Sequence, residues 1–182
     1  MTIATEEQIM NAVAMKRALQ RMAHEILDRN NGAANLALVG LQTRGVFIAK
    51  RMAAIIGSVE NTTVPVGVLD VTMYRDDFRI ALKHPTVKVT SIQFDVDGIS
   101  VVLVDDVFYT GRTVRSALDA IMDFGRPRRV ELAVLIDRGL RELPLVADYV
   151  GKRITTQFNE EVRVRMVESD GVDEVTLVRL AG

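Results

Sequence analysis

Apolar residues recur at three- and four-residue intervals at Met15, Leu19, Met22 and Ile26, the period of a helix with one buried face. Residues 6 to about 30 are therefore expected to form one amphipathic helix, stopped by Asn30-Asn31-Gly32, with Arg17, Arg21, His24 and Asp28 on its opposite stripe. The pattern then changes. Leu36 to Val39 is a short continuous apolar run of the kind a buried strand shows, Gly40 to Gly45 is a glycine-bounded turn, and Val46 to Ile56 predicts a helix ended by Gly57. A second strand is expected from Val64 to Tyr74, with Pro65 near its start, where a missing N–H is tolerated.

From Arg75 to about Thr90 the periodicity fades and polar residues dominate, which predicts a long exposed excursion of the length that is usually functional or disordered. A strand at about Val87 to Phe94 and a turn at Asp97-Gly98 lead into the apolar run Val101 to Val104. A helix from Val114 to Phe124 closes at Gly125, and Pro127 prevents its continuation. Val130 to Ile136, Tyr149 to Ile154, Val162 to Val167 and Val175 to Leu180 are the remaining strands. Alternating strands and helices predict an α/β fold with a central, mostly parallel sheet flanked by helices, and the closing strands predict a small antiparallel part. No internal repeat or linker divides the chain, so one domain is expected.

One string carries more chemistry than the rest: Val101-Val-Leu-Val-Asp-Asp-Val-Phe-Tyr-Thr-Gly-Arg-Thr113. Asp105 and Asp106 stand where a buried parallel strand ends, the place where open α/β sheets bind ligands. Tyr109 to Thr113 then supply hydroxyls, Gly111 for close backbone approach, and Thr113 as N-cap of the helix expected from Val114, so free N–H groups converge on a concavity that suits a phosphate. The plainer alternative is a helix cap beside a solvated carboxylate. Leu41-Gln42-Thr43-Arg44-Gly45 is a second strand-to-helix loop whose backbone donors and Arg44 can meet an anion; otherwise it merely turns the chain.

Composition narrows the chemistry. The chain has 182 residues, 48% of them hydrophobic, enough for a full core. With no cysteine there is no disulfide frame and no thiolate nucleophile or metal ligand, and two histidines, His24 and His84, cannot build a His-rich zinc site. Charged residues in the first turns and short apolar runs predict a cytosolic protein without a membrane partner. A net charge of −1 gives no bulk attraction to nucleic acid, so any RNA contact must come from a local basic patch.

The 101–113 string resembles the signature with which type I phosphoribosyltransferases hold 5-phosphoribosyl-1-pyrophosphate (PRPP): a hydrophobic run, two acids and Thr-Gly-x-Thr. The strings Arg21-Met-Ala-His-Glu25, Thr43-Arg-Gly45, Pro65-Val-Gly67, Tyr74-Arg-Asp-Asp-Phe78, Phe124-Gly-Arg-Pro127, Asp137-Arg-Gly139, Arg141-Glu-Leu-Pro144 and Ala147-Asp-Tyr-Val-Gly-Lys152 narrow the resemblance to the PyrR family, pyrimidine-operon regulators that are also uracil phosphoribosyltransferases. The resemblance implies a type I core under a small antiparallel hood, with a flexible lid loop and assembly as a homodimer or higher homo-oligomer.

It also implies roles for particular residues. Val101, Val102, Leu103, Val104, Asp105, Asp106, Val107, Phe108, Tyr109, Thr110, Gly111, Arg112 and Thr113 form the PRPP or UMP site, with Asp105 and Asp106 on the ribose 2′- and 3′-hydroxyls and 110 to 113 around the 5-phosphate. Thr43 and Arg44 contact pyrophosphate, Arg75 adds charge from the lid, and Asp137 and Arg138 mark the uracil wall. Asp105, Asp106, Arg44 and Arg75 are thus the catalytic candidates. Mg²⁺ arrives with PRPP near Asp105 and Asp106 rather than in a fixed site, and UMP and UTP act as regulatory ligands.

Leader mRNA of the pyrimidine operon is the implied macromolecular partner, through Arg17, Arg21, His24, Arg141 and Lys152. Here the chain departs from its family, which carries a His after Arg-Gly and commonly an Arg after the Pro-hydrophobic pair, where this chain has Leu140 and Val146. Three readings follow: an enzyme that doubles as an RNA-binding regulator, a salvage phosphoribosyltransferase without RNA binding, and a UMP-sensing regulator with vestigial activity.

Overall fold

The structure, a computed structural model, describes residues 3–71 and 90–180. The chain begins with β1 (Ile3–Asn11), α1 (Ala12–Asn30), β2 (Leu36–Leu41), α2 (Arg44–Glu60) and β3 (Val66–Leu69). It continues with β4 (Ser100–Phe108), α3 (Arg112–Met122), β5 (Arg129–Asp137) and β6 (Tyr149–Arg153), and closes with β7 (Glu160–Arg165), the short α4 (Val167–Asp170) and β8 (Glu174–Leu180). A five-stranded sheet has the order β3-β2-β4-β5-β6, with every pair parallel. A three-stranded antiparallel sheet, β1-β8-β7, joins the two ends of the chain.

Strand alternation divides the core into two layers. Leu38, Val102, Val104, Ala133 and Leu135 point to the face covered by Met22, Ile26, Ile48 and Met52 of α1 and α2. Val39, Val101, Leu103, Leu132 and Val134 point to the other, covered by Val114, Ala117, Ala120 and Ile121 of α3. Burial on both faces is why these strands are continuously apolar rather than alternating.

The boundaries differ from the sequence expectations in instructive places. Residues 6–11 belong to β1, not to the first helix, which starts at Ala12 with Asn11 Oδ1 accepting from the Ala14 N–H at 2.9 Å. The partner that draws these residues into a strand is β8, some 165 residues away: Arg165 reaches Glu6 at 3.0 Å and Glu174 at 2.6 Å. Helix α2 runs through Gly57 to Glu60, and Asn61 in the left-handed region ends it. Gly57 is needed for a different reason, since a Cβ there would lie 2.6 Å from the Thr62 carbonyl oxygen. The strand expected at Val64 to Tyr74 is shorter within the described residues, and the described part of the expected Val87 to Phe94 strand makes only an isolated bridge, Ser91 to Val68. The expected lid, Arg75 and the Tyr74-to-Phe78 string lie outside the described residues.

The hood is tied down by ion pairs as well as by its strands. Arg51 of α2 reaches Glu168 at 2.6 Å and Asp173 at 2.8 Å, so the α4 turn is anchored to a helix of the central layer.

Candidate active site

β2 and β4 stay paired as far as Gly40 and Val104, whereas β4 continues beside β5 to Phe108 and Asp137. Asp105 and Asp106 therefore lie inside β4 as assigned, but beyond the point where β2 leaves it. The N-terminus of α2 fills that gap. A Cβ on Gly45 would lie 2.3 Å from the Val104 carbonyl oxygen, and one on Gly40 would lie 2.4 Å from the Val46 Cα, so only glycines let the loop seat on the strand end. The loop is fastened to β3 by the Gln42 N–H, which donates to the Leu69 carbonyl at 3.0 Å, and its Gln42–Thr43 peptide bond is cis.

The two acids do not share one cavity. Asp105 is buried and lines a cavity of about 490 Å³ together with Val107 to Val114, Arg138 and Glu142. Asp106 is half-buried and lines a separate one of about 280 Å³ with Arg44, Glu161, Arg163, Arg165 and Asp170. Successive strand residues point to opposite faces, which separates the pair. Each carboxylate also accepts from the next backbone N–H: Asp105 Oδ1 from Asp106 and Asp106 Oδ1 from Val107, both at 2.9 Å.

The glycine turn expected before α3 is present with a different cap. Gly111 adopts φ 96° and is itself the N-cap of α3, which starts at Arg112 rather than Val114. Thr113 is thus inside the helix, and the N-cap Gly111 offers no side-chain acceptor to the first turn, whose N–H groups lie at the cavity end of the helix. Thr110 Oγ1 accepts from the Arg112 N–H at 3.4 Å. The turn is held from outside by the Arg141-to-Pro144 segment, where the Glu142 and Leu143 N–H groups donate to the Thr110 carbonyl at 3.0 and 3.1 Å, and Glu142 pairs with Arg112 at 2.7 Å.

Val101, Val102, Leu103 and Val104 are fully buried in the two core layers, so their side chains build the strand that carries the site and do not line it. Phe108 is also 1% exposed, its ring covered by the Arg141 guanidinium. Arg138 is buried over the Tyr109 ring, with its guanidinium donating to Thr156 Oγ1 at 3.0 Å and to the Gln157 and Glu160 carbonyls at 3.1 and 2.7 Å. It joins the cavity wall to the connection between β6 and β7. Asp137 Oδ1 accepts from the Gly139 N–H at 3.1 Å and from Arg141.

Arg44 faces the hood, 2.9 Å from Asp170. The Asp170 carboxyl is pulled down to about 2, first by the Met166 backbone N–H, then by Arg44 and the Ser169 hydroxyl. Thr43 sits half-buried beside it at the start of α2.

The basic residues divide into two groups. Arg17, Arg21 and His24 are exposed along α1. Arg21 donates to the Val150 and Gly151 carbonyls of the edge strand β6 at 2.9 and 2.7 Å, and Lys152 of that strand donates to the Ile9 carbonyl at 2.7 Å. His24 Nδ1 is 2.7 Å from the Gln20 carbonyl oxygen. Arg141 is turned inward instead, donating to the Phe108, Tyr109, Gly139 and Asp137 oxygens, so its guanidinium closes the ends of β4 and β5.

Sequence reasoning did not find Glu142, Thr156 or the hood residues Glu161, Arg163, Arg165 and Asp170. A signal existed for part of this group, because Glu161, Arg163 and Arg165 alternate with valines and must share one strand face.

A five-stranded parallel sheet with acids and an uncapped helix start at one strand end, roofed by a terminal antiparallel sheet, defines a phosphoribosyltransferase fold. The family model described as "Phosphoribosyl transferase domain" matches residues 5–168. A hypoxanthine phosphoribosyltransferase of Staphylococcus aureus superposes with a TM-score of 0.68 at 15% identity, over 93% of this chain and 90% of that one. The Trypanosoma cruzi enzyme solved with the product IMP gives 0.72 at 17% identity, over 98% and 92%. Among curated sequences, proteins named "Bifunctional protein PyrR" are 54% identical in Chloroflexus aurantiacus (97% of each chain), 55% in Pelotomaculum thermopropionicum (96% of each) and 56% in Thermus aquaticus (93% of this chain, 94% of that one). The chain belongs to the PyrR family.

Proposed function

We propose that the protein, acting as one phosphoribosyltransferase-type domain, converts uracil and PRPP to UMP and pyrophosphate, and that it binds pyrimidine-operon leader mRNA in a uridine-nucleotide-dependent way. The observation that carries the enzymatic part is the 490 Å³ cavity, which brings the Asp105 carboxylate, the Gly111 turn and the uncapped start of α3 together.

In the reaction uracil N1 forms a bond to C1 of the ribose, the C1–O bond to pyrophosphate breaks, and the electron pair leaves with pyrophosphate while N1 loses its proton. The N–H groups at 111–113 hold the 5-phosphate and the carboxylates orient the ribose hydroxyls, so much of the barrier is lowered by positioning. Thr43 and Arg44 receive the departing anion, and Asp137 and Arg138 border the base. Arg75 keeps its proposed role as a further cation, although it lies outside the described residues.

The Asp105 and Asp106 carboxylates are hard oxygen donors that suit a Mg²⁺ ion carried by PRPP, and a substrate spanning the two cavities at the end of β4 would bring the ion near both. When bound, that ion supplies positive charge to the leaving group. Conversion of radiolabelled uracil to UMP with PRPP tests this reading, and absence of product over a range of protein and PRPP concentrations overturns it.

The RNA reading is supported by the stripe of Arg17, Arg21 and His24 beside Lys152. Filter binding of the native leader RNA, with and without UMP, checks it. The protein is further proposed to work as a homodimer or higher homo-oligomer, which sedimentation measures directly.

A further inference from the structure

The starts of β2, β4 and β5 form the pole of the central sheet opposite the Asp105 cavity. A cavity of about 390 Å³ lies there, lined by Arg29, Asn30, Asn31, Asn35, Arg128 and Arg129, with Ala34. Three guanidinium groups converge on it, and two of them are fixed from below. Arg29 and Arg129 share a single oxygen, Glu131 Oε1, at 3.3 and 3.0 Å, while Asn30 and the Tyr149 hydroxyl each donate to Oε2 at 2.8 Å.

Glu131 is 2% exposed. Burial alone would push its carboxyl up, but the hydrogen bonds from Asn30, Tyr149 and Arg129 and the charge of Arg29 outweigh that and hold it below the usual range. It remains an anion that keeps two guanidinium groups side by side. Asp148 takes a further donor of Arg29 at 2.9 Å.

Arg128 differs from its neighbours. Its guanidinium donates to the Ser100 hydroxyl at 3.0 Å, and among the described residues it has no carboxylate partner. Three arginines thus face two carboxylates, leaving an uncompensated, exposed cation on a chain whose net charge is −1.

Position selects the occupant. Arg29 lies on α1, the helix that carries Arg17, Arg21 and His24, about 18 Å along the axis from Arg17 and roughly 120° around it, so a strand that reaches both crosses the helix obliquely. The lining holds no aromatic ring and one small apolar side chain, so a nucleobase has nothing to stack on, whereas a phosphodiester needs only planar donors.

We propose that the Arg29–Arg128–Arg129 cavity is a phosphate-backbone contact for RNA, met by a strand that leaves the α1 stripe and crosses the helix to the pole of the sheet opposite the nucleotide site. The inference rests on the RNA reading above.

Arg128→Ala is the informative variant, because Arg128 holds no buried carboxylate and takes no part in the phosphoribosyl site. Binding of labelled leader hairpin RNA to the whole protein is measured over a KCl series with UMP present. The expected result is several-fold weaker binding at low salt and a log K against log[salt] slope smaller by about 0.7–0.9, with uracil phosphoribosyltransferase activity unchanged. Arg128→Lys should restore most of the slope. If the wild-type protein binds and Arg21→Ala weakens it while Arg128→Ala leaves slope and affinity unchanged, the cavity is not an RNA contact and the RNA reading stands. If the wild-type protein shows no binding at low salt, both fall.

Discussion

Arg44 Nη2 lies 2.9 Å from Asp170 Oδ1, so the loop after β2 is held by a carboxylate of the hood. An arginine proposed to receive pyrophosphate is thus already engaged, and an incoming anion has to draw it from Asp170.

Asp170→Asn removes that competitor. The expected outcome is a severalfold lower KM for PRPP with kcat within about twofold, since neutralising the partner weakens only the charge-assisted bond. An unchanged KM would mean that Arg44 does not meet PRPP.

The same pair gives an acid-side signature. The folded-state carboxyl of Asp170 lies at about 2, below its ordinary 3.8, so the unfolded chain takes up the proton first as pH falls. Its contribution to stability is present above about pH 4 and is lost between there and about pH 2. Asp170→Asn should flatten the fall in Tm across that window relative to wild type.

Asp105→Asn and Asp106→Asn should each lower kcat/KM by about ten- to a hundredfold, the worth of one charge-assisted hydrogen bond of roughly 1.5–3 kcal/mol. Both variants keep the Oδ1 acceptor used by the following N–H, so circular dichroism and Tm should remain near wild type. Because the two acids line different cavities, PRPP protection against thermal unfolding should distinguish them, with the larger loss in Asp105→Asn.

Gly45→Ala tests the seating of the Thr43–Arg44 loop. A methyl group placed 2.3 Å from the Val104 carbonyl forces the loop off β4, at a cost of about 1–3 kcal/mol. A lower Tm together with weakened PRPP binding is expected; a wild-type KM would show that the loop's position is immaterial.

Arg141→Ala and Arg21→Ala should behave differently. Loss of Arg141 takes one donor from the Phe108, Tyr109 and Gly139 carbonyls and the charged donor from Asp137, which keeps the Gly139 N–H, costing about 2 kcal/mol and lowering Tm by roughly 4–8 °C, with transferase activity falling as well. Arg21→Ala should weaken RNA binding and spare the transferase. Equal effects of the two on RNA alone would place the inward-facing Arg141 back among the RNA contacts.

The central layer was legible because local pattern and tertiary environment agree there. The runs at Leu36 to Val39, Val101 to Val104 and Leu132 to Ile136 are apolar at every step, which only a strand covered on both faces tolerates, and the Asp-Asp and Thr-Gly-Arg-Thr strings mark the end that the candidate site occupies. The first six residues of the expected long helix were not legible as strand, since Glu6 to Asn11 gain their pairing from β8 at the far end of the chain.

By itself, the sequence determined the α/β class, the buried strand that ends in Asp105 and Asp106, and the glycine-centred turn at Gly111, all set by residues near one another in the chain. Only the tertiary structure decided that Asp105 and Asp106 open into different cavities, that Arg141 closes strand ends, that Asp170 holds Arg44, and that Arg29, Arg128 and Arg129 meet around Glu131. The physical reason is the same each time. A guanidinium or carboxylate carries no local periodicity, and its partner is chosen by which distant backbone and side-chain groups the packed core brings within hydrogen-bonding distance.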